Sequence, residues 1–170
     1  MSAPLVTRSS AEYVRGTRAD EQGMKTMMIS TKGRYALRVM IELASGEGGE
    51  LISLKEIAQS QEISEKYLES IVKNLVKAGL VAGLRGKGGG YRLASPAAQC
   101  TVGGILRAAE GSVAPVACVE GDAKPCPRRE YCPALPVWTE LNRRIDEYLD
   151  SVTLEQVVQQ AQEMQCHSQI

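Results

Sequence analysis

Cys118, Cys126 and Cys132 are spaced Cys-x7-Cys-x5-Cys in a stretch rich in proline, glycine and charge. Three thiols on one segment can converge on a single centre. Pro115, Pro125, Pro127 and Pro133 around them reduce the entropy lost when the segment closes. Soft thiolates favour an iron-sulfur cluster, 4Fe-4S or 2Fe-2S, or zinc. The neighbouring Lys124, Arg128 and Arg129 favour the thiolate form and offset cluster charge. Zinc is the alternative, because three thiolates and one further ligand satisfy it. Cys100, read as following a strand and preceding Thr101, is expected to be a small buried hydrophobe. Cys166 sits beside His167 in what reads as a frayed tail, so the pair is taken as incidental despite its ligand chemistry. His167 is the only histidine, which removes mechanisms built on a buried histidine base. No base pairs with the cysteines either, so a nucleophilic-cysteine enzyme is the weakest reading and a non-enzyme is expected.

The elements that must carry this loop fit one small folded unit. The chain has 170 residues, 20 Lys+Arg, 20 Asp+Glu and a hydrophobic share of 44%, the profile of a soluble globular domain with appendages. No run approaches the ~20 apolar residues of a bilayer crossing, and the N-terminus lacks the apolar core of a secretory signal. A cytoplasmic, reducing compartment is expected, where clustered cysteines read as metal or redox chemistry rather than disulfides. The zero net charge hides a partition. Residues 28–96 hold ten basic and seven acidic groups, residues 97–170 six and ten, and residues 1–27 four and three. A local basic surplus on a small module suits a phosphate-bearing partner, although on charge alone an ordinary solvated surface is the better explanation.

Residues 1–27 have few large apolar groups and no period, and read as a disordered arm or a non-native extension. From Ser30 the pattern becomes helical, with Leu37, Met40, Ile41 and Ala44 on one face and Gly46, Gly48 and Gly49 ending the run. Ser53 and Glu56 form a capping box ahead of Leu54, Ile57 and Ala58. Ser64 caps a third helix carrying Leu68, Ile71, Val72 and Leu75, with Gly79 at its stop. Two short helices joined tightly make a helix-turn-helix. Strand-like runs at Leu80–Arg85 and Tyr91–Ala94 flank a glycine-rich tip, which completes a winged helix. Thr101 opens a fourth helix through Val102, Ile105, Leu106 and Ala109. After the cysteine loop, Val137, Leu141, Ile145, Leu149 and Val152 define a last amphipathic helix, whose apolar face a second copy of the chain would cover most simply.

If the third helix enters the major groove, its first turns do the reading, and Ser64, Glu65, Lys66, Tyr67, Glu69 and Ser70 are the candidates. Lys66 suits a guanine edge or a phosphate, Tyr67 a phosphate or a thymine methyl, and Glu69 a cytosine amine. Arg85 and Lys87 flank the tip, where an arginine can enter a narrow minor groove. Four glycines beside Lys87 exceed the one or two that a simple turn requires, which favours a functional tip.

These residues resemble the Rrf-two family of bacterial winged-helix transcription regulators, from about Met28 to Val157. The resemblance rests on Ser30-Thr31-Lys32-Gly33-Arg34-Tyr35-Ala36-Leu37, on Leu68-Glu69, and on Leu84-Arg85-Gly86-Lys87-Gly88-Gly89-Gly90-Tyr91. It also rests on the cysteine cluster, Trp138, and Val152-Thr153-Leu154. It implies Arg85 in the minor groove, with Ser64, Lys66, Tyr67, Glu69 and Ser70 at recognition-helix positions; Lys87 and Tyr91 of the wing are taken as further DNA-binding residues. It further implies a homodimer joined by the long C-terminal helix on a palindromic operator. Members that sense through iron-sulfur clusters carry three cysteines in the corresponding loop, and the seven-then-five spacing is most similar to the iron-responsive branch. The family's fourth ligands are missing: Leu135 stands where some members have histidine, and Arg34 where others have an acidic residue. Glu120, Asp122, Glu130, Cys166, His167 or an exogenous ligand remain open for that role.

The fold expected is mainly α with a small β-wing. It divides into an arm at 1–27, a winged helix-turn-helix at 28–111, a cluster-binding loop at 112–136, a dimerisation helix and its end at 137–157, and a flexible tail at 158–170. The function expected is a DNA-binding, iron-sulfur-dependent repressor sensing iron, redox or nitric oxide state. Cluster gain or loss would reshape the loop and change the separation of the recognition helices. The alternatives are a zinc-containing structural or protein-interaction module, and a cluster-free thiol redox regulator.

Overall fold

The computed structural model describes residues 29–46, 50–86, 88–121 and 126–167, with the backbone alone for 165–167. The expected arm at 1–27, Lys87, Asp122, Lys124 and Pro125 lie outside the described residues, as do the side chains of Cys166 and His167. Helix α1 spans Thr31–Ser45, α2 Leu54–Ser60, α3 Glu65–Lys77, α4 Val102–Glu110, α5 Leu135–Ser151 and α6 Leu154–His167. Strands β1 (Val81–Leu84) and β2 (Gly90–Leu93) form an antiparallel hairpin pairing Val81 with Leu93 and Leu84 with Gly90. The architecture is mainly α with a two-stranded wing, as the sequence predicts.

Local chemistry sets the helix starts. The hydroxyls of Ser30, Ser53, Ser64 and Thr101 each accept from a backbone N–H in the first turn of α1, α2, α3 and α4. At Ser53 the capping box is complete, because Glu56 Oε2 accepts from the Ser53 N–H at 2.8 Å. Hydrogen bonding with the Ser53 side chain, and then with its backbone N–H, lowers the Glu56 pKa, as expected of a carboxylate whose charged form is hydrogen-bonded. Beyond α3, Gly79 adopts a φ of 74°, which turns the chain into β1.

The core is one cluster. Ala36, Val39 and Met40 of α1 meet Ile57 of α2, Leu68, Ile71 and Leu75 of α3, and Ile105 of α4, all without measurable exposure. Each large side chain there contributes about 2 kcal/mol by leaving water. Ile52 adds a third, single-bridge edge to the wing through reciprocal backbone bonds with Tyr91 at 3.0 and 2.8 Å.

One feature differs from the sequence reading. Residues 154–167 form a helix, whereas 158–170 were expected to be a flexible tail and the preceding helix to end near 157. The stretch is rich in glutamine and lacks a broad apolar stripe, so its period is weak. Tertiary contacts supply what the pattern does not: Leu154 is fully buried in the core, and Val158 is nearly so. Thr153 and Gln156 cap α6 reciprocally at 2.9 and 3.3 Å, and the Leu154 N–H donates to the Cys100 carbonyl at 2.7 Å. Cys100 follows β2, as expected, with a short 3-10 turn at Ala97–Gln99 between them. Cys100 itself is the small buried hydrophobe expected, 2% exposed, and burial pushes its thiol pKa up.

Helix α4 is held at both flanks by charge. Its Arg107 pairs with Asp146 of α5 at 3.0 Å and also with Asp150. Its last residue, Glu110, reaches α1, where Oε1 accepts from the Ser30 N–H at 2.9 Å, the Ser30 hydroxyl at 2.6 Å and the Gly33 N–H at 2.9 Å. A carboxylate on the free N–H groups of a helix start is favoured by both hydrogen bonding and the helix dipole.

Candidate nucleic-acid interface and cysteine loop

The first turns of α3 present Glu65, Lys66, Glu69 and Ser70 to solvent, while Leu68, Ile71, Val72 and Leu75 anchor the opposite face. Ser64 is exposed as the cap, with its hydroxyl accepting from the Tyr67 N–H at 3.3 Å. The Ser70 hydroxyl donates to the Tyr67 carbonyl at 2.7 Å, which leaves its lone pairs for a partner. Tyr67 is half-buried, and its ring meets that of Tyr35 edge to face at 6.1 Å, so it also packs α3 onto α1.

In the wing, Arg85 is exposed and makes no ion pair among the described residues. Tyr91 has a packing position, half-buried, with its backbone bonded to Ile52 and its ring lying over Gly83. The four glycines of the tip have backbone reasons. Gly86 and Gly88 take φ values of 111° and 80°, which side chains with a Cβ rarely adopt. A Cβ on Gly89 would strike the Leu84 carbonyl, and one on Gly90 would come within 2.7 Å of the Ile52 carbonyl. The excess of glycine over a simple turn is therefore explained by the fold, and the case for a functional tip rests on Arg85 and its exposure. Arg85→Ala is expected to weaken operator binding about tenfold with thermal stability unchanged. Equal affinity in a fluorescence-anisotropy titration would contradict the assignment.

The loop from 112 to 134 is more structured than its composition suggests. Cys118 lies in a 3-10 turn at Ala117–Val119, and Cys132 ends another at Arg129–Tyr131. Arg129 fastens the two, its Nη1 donating to the Cys118 carbonyl at 2.7 Å and its backbone N–H to the Cys126 carbonyl at 2.9 Å. The Leu135 N–H donates to the Cys132 carbonyl at 3.2 Å, so the third cysteine sits directly at the start of α5. Cys118, Cys126 and Cys132 are free thiols, each half-buried. In type and number these donors suit an iron-sulfur group or zinc. Among the described residues no three His, Cys, Asp or Glu side chains converge closely enough to hold a metal ion. Of the fourth-ligand candidates, Glu120 is half-buried and Glu130 exposed. Leu135 opens α5, and Arg34 donates to Thr31 at 3.1 Å. The loop borders a cleft of about 210 Å³ between α4 and α5, lined by Arg107, Val119, Glu120, Asn142 and Asp146 among others.

The comparisons with known proteins follow the same outline. Residues 29–160 match the model of Rrf2, described as an iron-dependent transcriptional regulator. The chain belongs to the Rrf2 family. Over 129 residues this Rrf2 protein is 46% identical to the HTH-type transcriptional regulator CymR of Bacillus subtilis (strain 168), covering 76% of this chain and 88% of the relative. The solved structure of CymR, described as the global cysteine regulator of B. subtilis, matches with a TM-score of 0.62 at 44% identity. That match spans 78% of this chain and 96% of the other. The solved structure of T. potens IscR matches with a TM-score of 0.65 at 38% identity, over 81% and 90%. The fold is thus that of the winged-helix Rrf2 regulators, and the function is regulation of transcription through DNA. Among the described residues no helix is long and apolar enough to cross a membrane.

Sequence reasoning missed Arg107, Glu110 and Arg38. The first two tie α4 to α5 and to α1 across 39 and 80 residues, and no local pattern marks such pairs. Arg38 carried a legible signal, the three-residue spacing from Tyr35 that stacks two side chains on one helix face.

Proposed function

We propose that this Rrf2 protein is a homodimeric repressor that reads a palindromic operator and uses its cysteine loop as the sensor. The observation that carries the proposal is a loop with three half-buried free thiols, fastened internally by Arg129 and joined directly to α5. Cys118, Cys126 and Cys132 are the residues that would hold an iron-sulfur group. Bound there, it would supply sensitivity to iron supply, oxidants and nitric oxide. Arg129 links the backbone of the first cysteine to the turn that precedes the third. Ser64, Lys66, Glu69 and Ser70 read base edges, Tyr67 seats the reading turn, Arg85 and Lys87 enter the minor groove, and Tyr91 steadies the wing. The exposed apolar face of α5 supports pairing with a second copy.

Anaerobic purification of the wild type and of Cys126→Ala, with visible spectra and iron and sulfide analysis, tests the sensor. A broad visible absorption with matching iron and sulfide, lost in the variant, is the expected result. Colourless wild type holding zinc would overturn it in favour of a structural site.

A second reading has a specific support. CymR, described as a global cysteine regulator, is 46% identical to this chain, and the three thiols here are free and partly accessible. A cluster-free thiol switch on the same loop would give colourless, metal-free protein whose operator affinity changes with a mild oxidant and recovers with dithiothreitol.

A further inference from the structure

Arg38 is exposed on α1, and its guanidinium carbon lies 5.3 Å from the centroid of the Tyr35 ring. That ring in turn meets Tyr67 edge to face at 6.1 Å, with the planes at 87°. Tyr67 is in the first turn of α3, beside Lys66. The three side chains form a ladder from α1 to the end of the helix that reads DNA. A guanidinium over an aromatic face is held in place while its N–H donors stay free. Among the described residues no carboxylate pairs with Arg38. Glu42, one turn along the same helix, accepts instead from Gln61 Nε2 at 2.6 Å.

The reading turn needs such a cation. Glu65 and Glu69 outnumber Lys66 on its exposed face, so the turn by itself repels the phosphate backbone. In helix-turn-helix complexes the elements flanking the recognition helix meet the backbone while the helix reads bases.

We propose that Arg38, seated on Tyr35 beside Tyr67, is a phosphodiester-contacting residue of the DNA interface. The inference rests on the DNA-reading role of α3 and adds a sequence-independent contact to it. Arg38 fixes register and contributes affinity, while the acidic reading turn supplies discrimination.

The test uses the full chain and two labelled duplexes, one selected in vitro for binding to the wild type and one with the same bases scrambled. Anisotropy titrations are run across a salt series for wild type, Arg38→Gln, Arg38→Lys and Tyr35→Leu, with melting curves to verify folding. For Arg38→Gln, affinity is expected to fall about five- to tenfold on both duplexes. The slope of log affinity against log salt should shrink by about one per arginine removed. Arg38→Lys should restore the slope, and Tyr35→Leu should weaken binding part of the way by unseating the guanidinium. An unchanged slope and affinity in Arg38→Gln would overturn the proposal. So would a loss confined to the selected duplex, which would indicate base reading. A selection that yields no duplex bound by the wild type at low salt would remove the DNA-reading role of α3, a failure distinct from the loss of Arg38 alone.

Discussion

Leu141→Asp is expected to leave a folded protein that sediments as a monomer. Helix α5 has no buried residue, and Val137, Leu141 and Tyr148 stand 62%, 37% and 68% exposed on one side of it. Ile145 and Leu149 continue the same stripe, while Asn142, Asp146 and Asp150 occupy the adjoining face toward α4. An apolar stripe of this length on a 17-residue helix needs a partner. Symmetry makes each substitution count twice, because one aspartate from each chain enters the same seam. A charge buried without a counter-ion costs about 3 kcal/mol in such a seam. The pair would therefore weaken association by roughly 10⁴-fold. Sedimentation velocity reads the mass, and far-UV circular dichroism verifies that the helices persist. Operator affinity should collapse in parallel, because a single half-site contact replaces two. A variant that still sediments as a dimer would show that α5 is not the seam.

Glu110→Ala is expected to lower the stability of the fold by about 2 kcal/mol, the cost of removing charge-assisted acceptors from a helix start. The informative companion is Gly33→Ala. Glycine inside a helix ordinarily costs about 1 kcal/mol relative to alanine, so this exchange would stabilise most helices. Here the new methyl would lie 2.5 Å from Glu110 Oε1. The carboxylate has to swing away, and its bonds to the N–H groups of Ser30 and Gly33 are lost with it. Gly33→Ala should therefore destabilise, and Gly33→Ala combined with Glu110→Ala should be no worse than Glu110→Ala alone. Urea midpoints of the four proteins decide the matter. Simple additivity of the two single effects would show that the carboxylate and the glycine act independently.

Much of this architecture could be read from the chain. Apolar residues at helical spacing located α1 and α3, and Ser30, Ser53, Ser64 and Thr101 act at helix starts because a short hydroxyl side chain satisfies a free N–H wherever it occurs. The wing was legible from its glycines, but their meaning was not. Gly89 and Gly90 are set by the approach of Leu84 and Ile52 backbone, which no local pattern reveals. Helix α6 escaped for a related reason. Leu154 is stabilised by a core assembled from α1, α3 and α4, more than forty residues earlier in the chain. At the site, Arg85 stood out by its motif, and the cysteines by their spacing. Tyr67 and Tyr91 were read as contacts for DNA, and the structure gives both rings neighbours within the protein as well. Such dual use is invisible to a sequence, because an aromatic ring serves packing and recognition with the same atoms.

The attachment of α5 has a mechanical consequence. Its C-terminal half is clamped to α4 by Arg107 and by the Val102 N–H, which donates to the Val152 carbonyl at 2.9 Å. From Asp146 back to Leu135 the helix extends about 16 Å at the standard rise per residue. A tilt of α5 would have the Arg107–Asp146 pair as its fulcrum, and Cys132 is joined to the N-terminal end of the helix by Pro133 and Ala134. A tilt of about 5° at that fulcrum sweeps the far end through about 1.4 Å, on the same geometry. Run in reverse, a small displacement of the thiol-bearing end exerts torque on α4, whose last residue grips α1. In the proposed symmetric pair two such arms would share one seam, so each subunit would turn in the opposite sense and the angle opened between them would be twice that of either alone.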